Sequence, residues 1–195
     1  MRSGETLYYL EIGSRTDGPP DHRLPTDLVL VEQDSIDIVR ALTLTIGRPY
    51  DWPSQHWDDD RWAEYMRRRG LRHWTAERGG EAIGLASLRF DHNEVELDTF
   101  GLVPRHVGKG LDRTFLTIVV DLAWREAPDA ERIWLHTSVQ TTRTRCATIS
   151  GAGFGCTTRP SWPTSSRLTW ALVVMNSSPR PRCRCSPVRR TVRGA

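Results

Sequence analysis

Residues 100–116, "FGLVPRHVGKGLDRTFL", place Gly108 and Gly110 on either side of the chain's only lysine, Lys109, and run at once into an apolar stretch of helical character. Glycines at such a turn let the backbone aim successive N–H groups at one point, with no Cβ in the way. A helix that begins there adds its own unpaired N–H groups and the positive end of its dipole. The combination suits a phosphate or pyrophosphate, although the same residues also suit a tight strand-to-helix turn that binds nothing. Just upstream, Glu94, Glu96 and Asp98 alternate along "EVELDTFGLV", so their carboxylates share one face of a strand. A face with that much charge is expected to open into a cleft or to solvent rather than to form core.

Two familiar phosphate loops are excluded by spacing. A Walker loop ending at Gly108-Lys109 needs glycine where Val103 stands and a hydroxyl where Gly110 stands. A dinucleotide fingerprint starting at Gly108 needs Gly or Ala at Arg113 and an opening βαβ unit. A third group of residues is aromatic: "RPYDWPSQHWDDD" brings Tyr50, Trp52, His56 and Trp57 into one short loop. Aromatic faces beside acids would suit a cationic amine; equally, Trp52 and Trp57 would pack under the loop with Asp58 as a helix cap. The histidines are scattered without metal-ligand spacing, and no Ser-His-Asp arrangement can be traced.

The elements that must position these groups follow from periodicity. "LVLVE" (28–32) reads as a short buried strand. "DSIDIVRALTLTIG" (34–47) reads as a helix capped by Asp34 or Ser35, with Ile36, Val39, Leu42 and Ile46 on one stripe and Gly47 at its end. "DDDRWAEYMRRRG" (58–70) is a second helix, acidic at its start and basic at its end, as the helix dipole favours. Strands follow at 72–78 and 81–90 around Gly79-Gly80, and at 94–103 after the turn "DHN". A helix over about 111–126 carries Leu111, Phe115, Ile118, Val119 and Leu122 on one stripe, and "RIWLHT" (132–137) is a further strand. This order predicts an α+β or three-layer α/β domain with the glycine loop between a central strand and the main helix.

At 195 residues the chain suits one domain. It has no apolar run of membrane-spanning length. Arg2, Glu5 and Glu11 interrupt any signal-peptide pattern, so a cytoplasmic setting is expected. The net charge of +3 hides a division. Every acidic residue lies between Glu5 and Glu131, and residues 1–138 carry a net charge of −7; from Arg132 onward there is no Asp or Glu, while ten arginines follow Ser138 and all four cysteines lie there too. Residues 1–27 therefore read as an irregular lead-in, 28–138 as the domain, and 139–195 as an atypical basic tail expected to be disordered. The tail's "SPRPRCRCSPVRR" raises nucleic-acid binding as a competing reading, but it lacks an amphipathic or aromatic pattern, and Cys183-Arg184-Cys185 is not a zinc spacing.

The glycine loop resembles the acetyl-CoA motif of the GNAT superfamily of N-acetyltransferases, Q/R-x-x-G-x-G/A, here Arg105-His106-Val107-Gly108-Lys109-Gly110. "LVP" at 102–104 resembles the end of that family's fourth strand, and the order of elements from Leu28 to Ser138 is the family's order. The resemblance implies a mixed, mostly antiparallel central sheet flanked by helices. It implies acetyl-CoA as co-substrate, without metal, and acetyl transfer to a primary amine of a small molecule or peptide. Arg105, His106 and the backbone from Val107 to Leu111 (with Gly108, Lys109 and Gly110) would hold the pyrophosphate, and Leu102 and Val103 would pair with the pantetheine arm where two strands splay. An amine attacks only when neutral, so a base is needed; Glu96 stands at the family spacing before Leu102, with Asp98 second. Tyr50, Trp52 and Trp57 would line the acceptor side. No membrane or nucleic-acid partner is expected, and a homodimer is left open. Asp112 departs from the pattern, standing where many members carry a small residue.

A larger departure comes after Ser138. Family members follow the next strand with a helix bearing a tyrosine, often N-Y-x-x-x-G-F, whose hydroxyl can protonate the departing thiolate. This sequence has no tyrosine after Tyr65. Reading each codon as the third base of one printed codon plus the first two of the next permits D-H-P-N-A-L-R-N-Y-Q-R-R-G-F-R-V-Y-D across Gln140–Thr158, with the missing tyrosine at Thr148-Ile149. The expectation is that the chain beyond about Ser138 is frameshifted translation. The C-terminal part of the fold would then be missing or irregular, and the protein inactive or a weak binder of CoA.

Overall fold

The computed structural model describes residues 6–13, 15 and 27–138, together with short strand segments at 155–157, 173–174 and 188–189. The chain forms β1 (Thr6–Ile12), β2 (Leu28–Gln33), α1 (Ile36–Gly47), α2 (Asp59–Met66), β3 (Leu71–Arg78), β4 (Glu81–Asp91), β5 (Glu94–Leu102), α3 (Leu111–Glu126) and β6 (Arg132–Ser138). The segments β7 (Gly155–Thr157), β8 (Val173–Val174) and β9 (Val188–Arg189) complete the sheet. Strand order is β2-β3-β4-β5-β6-β1-β7, with β8 beside β5 and β9 beside β1. The pairs β5–β6 and β5–β8 are parallel, and the other pairs are antiparallel. This is the mixed, mostly antiparallel sheet expected.

One expectation is corrected at the N-terminal side. Residues 6–12 lie within the stretch read as irregular, yet they form β1, antiparallel to β6 from Leu7↔Ser138 to Ile12↔Ile133. Leu10 and Ile12 alternate into the core, which is the driving force that composition over 1–27 obscured. Residues 139–154, where the frameshift reading bears on a helix, lie outside the described residues.

Local chemistry fixes the helices. The Ser35 side chain caps α1 at the Ile38 N–H, and Asp58 caps α2 by accepting from the Arg61 N–H at 2.8 Å. The second helix stops at Met66, earlier than the expected 69, because the chain must reverse into β3. Gly70 takes a φ of +75° there, and a Cβ on it would stand 2.1 Å from the Phe90 carbonyl oxygen. Only glycine fits so close an approach.

Two apolar clusters sandwich the sheet. One, containing Phe115, Leu116, Val119 and Ala123 of α3, packs on Ile83, Leu88, Val95, Leu97, Phe100 and Leu102. The other, under α1 and α2, contains Val39, Ile46, Trp52, Trp62, Tyr65, Leu85 and Val103. Along β5 the residues facing α3 are 95 and 97, then 100 and 102, so the alternation slips by one between them. The register shows why: Leu88 opposes Leu97 and Ser87 opposes Thr99, which leaves Asp98 as the extra residue of a β-bulge.

Candidate active site

Val95 and Leu97 face α3, so Glu94, Glu96 and Asp98 point to the opposite face, and the bulge turns Thr99 to that side as well, beneath α2. Their shared face was read correctly, but its openness was not. Glu96 is 3% exposed and Asp98 fully buried. Each carboxylate is matched instead by a cation. Glu94 takes Arg132, at 2.6 Å; Glu96 takes Arg89, at 2.5 Å, and has His136 Nδ1 at 3.6 Å; Asp98 has Arg68 at 3.3 Å. Asp98 Oδ2 also accepts from the Tyr65 hydroxyl at 2.8 Å and from the Thr99 hydroxyl at 3.1 Å.

These surroundings push the two acids apart. Burial works against the charge on Glu96, but His136 and Arg89 outweigh it and hold that carboxyl below the ordinary range. Burial and then the nearby Glu96 charge raise Asp98 to about 6, against the smaller pull of Arg68, Tyr65 and Thr99. Divergence of this kind within a close pair separates one fixed charge from one group able to take and release a proton near neutrality. Tyr65, buried and beside Asp98, is pushed well above its ordinary value and stays protonated.

Around the glycine loop, Gly108 and Gly110 have φ of +79° and +77°, and no described residue lies within 4 Å of where either Cβ would be. Gly110 is the N-cap of α3 and supplies no side-chain cap to the first turn. The surroundings are cationic: burial, then the charges of Lys109, Arg105 and Arg78, lower His106. Arg105 and His106 both contact Glu81. Asp112 is 4% exposed, its side chain withdrawn from the surface.

β5 and β6 share only three register pairs, Glu94↔Arg132, Val95↔Ile133 and Glu96↔Trp134. Beyond Glu96 the strands separate, and β8 pairs with Phe100 and Gly101. The Leu102 end of β5 lies on this separated edge, whereas the Val103 N–H already donates to Ile83 O at 2.9 Å. Of the aromatic loop, Trp52 is core, 5% exposed, and a Cβ on Gly47 would meet its ring at 2.5 Å. Tyr50 is half-buried against the same cluster. Trp57 reaches the carboxylates only through Tyr65, whose ring centroid lies 5.3 Å away.

Sequence reasoning missed Tyr65, Arg68, Arg89, Thr99 and His136. One of them was countable: stepping back from the turn at 92–93 places Arg89 directly opposite Glu96. The others come together only through α2 docking and the β5–β6 pairing. His73 was also missed. It is 3% exposed, and burial lowers it to about 4. The unfolded chain therefore takes up a proton as pH falls from about 6.5, while the folded chain does so only near 4. Stability is lost across that window, by on the order of 3 kcal/mol in full. Asp98 has the opposite sign, since its raised value lets the folded state gain a proton first between about 6 and 3.8. We expect urea unfolding of a His73→Gln variant to lack the His73 part of this slope; an identical pH dependence in both proteins would refute the assignment.

A sheet that opens beside a glycine turn at the head of a helix, with acids lining the strand before it, has the architecture of acetyltransferase folds. The chain belongs to the acetyltransferase (GNAT) family, whose profile matches residues 39–149, more than half of the sequence. Among solved structures it is similar to a GCN5-related N-acetyltransferase from Sphaerobacter thermophilus, with 14% identity, a TM-score of 0.61, and coverage of 80% of this chain and 50% of that one. It is also similar to a GNAT-family acetyltransferase from Novosphingobium aromaticivorans, with 19% identity, a TM-score of 0.51, and coverage of 80% and 62%. A functionally unknown conserved protein from Staphylococcus epidermidis matches at a TM-score of 0.54 and 11% identity, over 80% of this chain and 59% of its own. The chain thus spans about half to three-fifths of the length of these structures. No curated protein matches the sequence. Among the described residues no helix is long and apolar enough to cross a membrane.

Proposed function

We propose that the protein is an acetyl-CoA-dependent N-acetyltransferase acting on a primary amine of a small molecule or peptide in the cytoplasm. The observation that carries this reading is the separation of β5 from β6 immediately after Glu96, between the carboxylate pair and the Gly108–Gly110 turn. In this reading the turn and the first N–H groups of α3 hold the CoA pyrophosphate, and the edge of β5 near Leu102 receives the pantetheine amides. When bound, acetyl-CoA supplies the thioester carbonyl. Asp98 is the better base of the pair: its affinity for a proton is matched to neutral pH, whereas Glu96 is held as a fixed charge by Arg89. Trp57, packed on Tyr65, is the member of the aromatic loop best placed to meet an acceptor. The test is a screen of polyamines, amino acids, aminoglycosides and peptide N-termini with acetyl-CoA, following release of free thiol. A chain that binds acetyl-CoA and transfers to none of them would remove the transferase reading.

A second reading is favoured by the break in composition at Ser138 and by β8 lying along Phe100–Gly101, beside the expected path of the arm. On it, residues 139–195 are translated out of frame, and this chain is inactive or binds CoA weakly. The gene's nucleotide sequence checks it. Stop codons in the shifted frame, or no tyrosine codon spanning Thr148-Ile149, would dismiss it. If the frame does encode N-Y-x-x-x-G-F, restoring it is expected to raise transfer at least tenfold over the printed chain.

A further inference from the structure

Register places Gln33, His73, Ser87 and Thr99 in one row across β2, β3, β4 and β5. On this face of the sheet, beneath α2, the row is polar where apolar packing would be expected. His73, Ser87 and Thr99 are 3%, 0% and 4% exposed. Buried polar groups of this kind are costly unless they bond to one another, and here they do. The Ser87 hydroxyl meets His73 Nδ1 at 2.8 Å. The Tyr65 hydroxyl sits over the row, 3.2 Å from Thr99 Oγ1 and 2.8 Å from Asp98 Oδ2, with Ser87, the register partner of Thr99, beside it.

The row has two ends. One is Asp98. The other is His73, whose Nε2 is buried with no hydrogen-bond partner among the described residues. His73 also lines an open pocket of about 470 Å³, together with Glu32, Gln33, Asp34, Met66, Leu71 and Arg72. An imidazole bonded on one nitrogen to a buried chain, with its other nitrogen buried and unpartnered and its residue lining a polar pocket, is arranged to pass a proton between them.

We propose that His73, Ser87 and Tyr65 form a proton exit from Asp98 to the Glu32–Arg72 pocket, at the edge of the sheet away from the β5–β6 opening. The inference rests on the transferase reading above and adds to it where the amine's proton goes. The acceptor ammonium gives its proton to the Asp98 carboxylate. Asp98 passes a proton to the Tyr65 oxygen as Tyr65 passes its own to Ser87, Ser87 passes its own to His73 Nδ1, and the Nε2 proton leaves into the pocket. No group is left ionised along the chain; reorientation of the hydroxyls, with a turn of the His73 ring that lets Nδ1 give its proton to pocket water while Nε2 regains one, resets it. Glu96, Arg68, Arg89 and Tyr65 surround Asp98, with His136 acting through Glu96. At His73 stand Glu32 and Asp34 from the β2–α1 side and Arg72 from β3, the last paired with Glu32 and Glu126 at 2.7 Å each, with the Tyr65 ring 5.5 Å away. These three residues do not touch the acceptor; they act through Asp98.

The experiment uses the full chain, acetyl-CoA and an accepted amine in dilute, non-protonating buffer. His73→Ala is expected to lower kcat about tenfold with KM for acetyl-CoA unchanged, and added imidazole to restore most of the loss by entering the pocket. Tyr65→Phe is expected to show a similar loss that imidazole does not restore, because the break lies inside the chain. His73→Gln keeps a hydrogen-bonding side chain of similar size and serves if the alanine variant does not fold; it too is expected to lose kcat. An unchanged kcat in a folded His73→Gln variant, or a His73→Ala loss indifferent to imidazole, would overturn the exit route. A wild-type chain that transfers to no amine would instead overturn the transferase reading on which it rests.

Discussion

Asp98→Asn is expected to lower kcat for acetyl transfer by a hundredfold or more near neutral pH, with little change in the affinity for acetyl-CoA. The substitution keeps the size of the side chain, and its amide oxygen still accepts from Tyr65 and Thr99. What it removes is the only group of the pair that titrates close to the working range. General bases of this type contribute about 10²–10⁴ in rate. The pH profile carries the sharper information. In the wild type, the rate should fall as pH drops through about 6, where Asp98 takes up a proton and can no longer accept one from the amine. That acid limb should vanish in Asp98→Asn. In Glu96→Gln it should move to lower pH, because a like charge that raises Asp98 is gone and Arg89 is left to act on Asp98 alone. The weaker base then costs on the order of a hundredfold near neutrality, and less at high pH, where the amine is already neutral. An acid limb still near 6 in Asp98→Asn would assign the titration elsewhere.

The second large effect is on the cofactor. Gly108→Asp is expected to abolish acetyl-CoA binding in calorimetry. The left-handed backbone at φ +79° is unfavourable for any side chain, by about 1–2 kcal/mol. The larger effect is a carboxylate placed where the pyrophosphate would lie, next to N–H groups that it would occupy itself. Gly108→Ala separates the two: there is open space around the Cβ, so alanine brings the strain without the charge and should weaken binding only modestly. In the wild type, acetyl-CoA is expected to slow amide exchange over residues 102–111. Equal affinity in wild type and Gly108→Asp would place the cofactor elsewhere.

How much of this was legible in the chain depends on the range over which each feature is decided. The helices α1 and α3 and the strands β3 to β6 follow from local periodicity and caps, and each formed where its pattern lay. The glycine turn was legible for the same reason, because positive φ is a local demand. The carboxylate face was legible only in part. Alternation from Glu94 gives the right side of the sheet, but the spacing Val95, Leu97, Phe100, Leu102 contains a step of three that marks the bulge at Asp98. That step is present in the sequence itself. Tyr65 and Arg68 could not be read, since nothing local ties them to Asp98, 33 and 30 positions further along the chain. Nor could β1, whose partner β6 lies at the far end of the domain. Burial of Glu96 and Asp98 also ran against a sound expectation, which held for unpaired acids but not for acids matched one by one with arginines.

The three-pair ladder between β5 and β6 also bears on how the molecule comes apart. Strands β2 to β5 are joined to one another by hairpins or long registers, and β6 is joined to β1 over six register pairs, so the sheet consists of two blocks meeting at a narrow seam. Arg132 spans that seam, bonding Glu94 in one block and Glu11 in the other at 2.9 and 3.0 Å. Opening there breaks few backbone bonds compared with opening either block, so sub-global unfolding should begin at this line and not at the sheet's outer edges. Native-state hydrogen exchange would then record two cooperative units, the β1–β6 ribbon exchanging as one and β2–β5 as the other, with Arg132 setting how tightly their stabilities are linked.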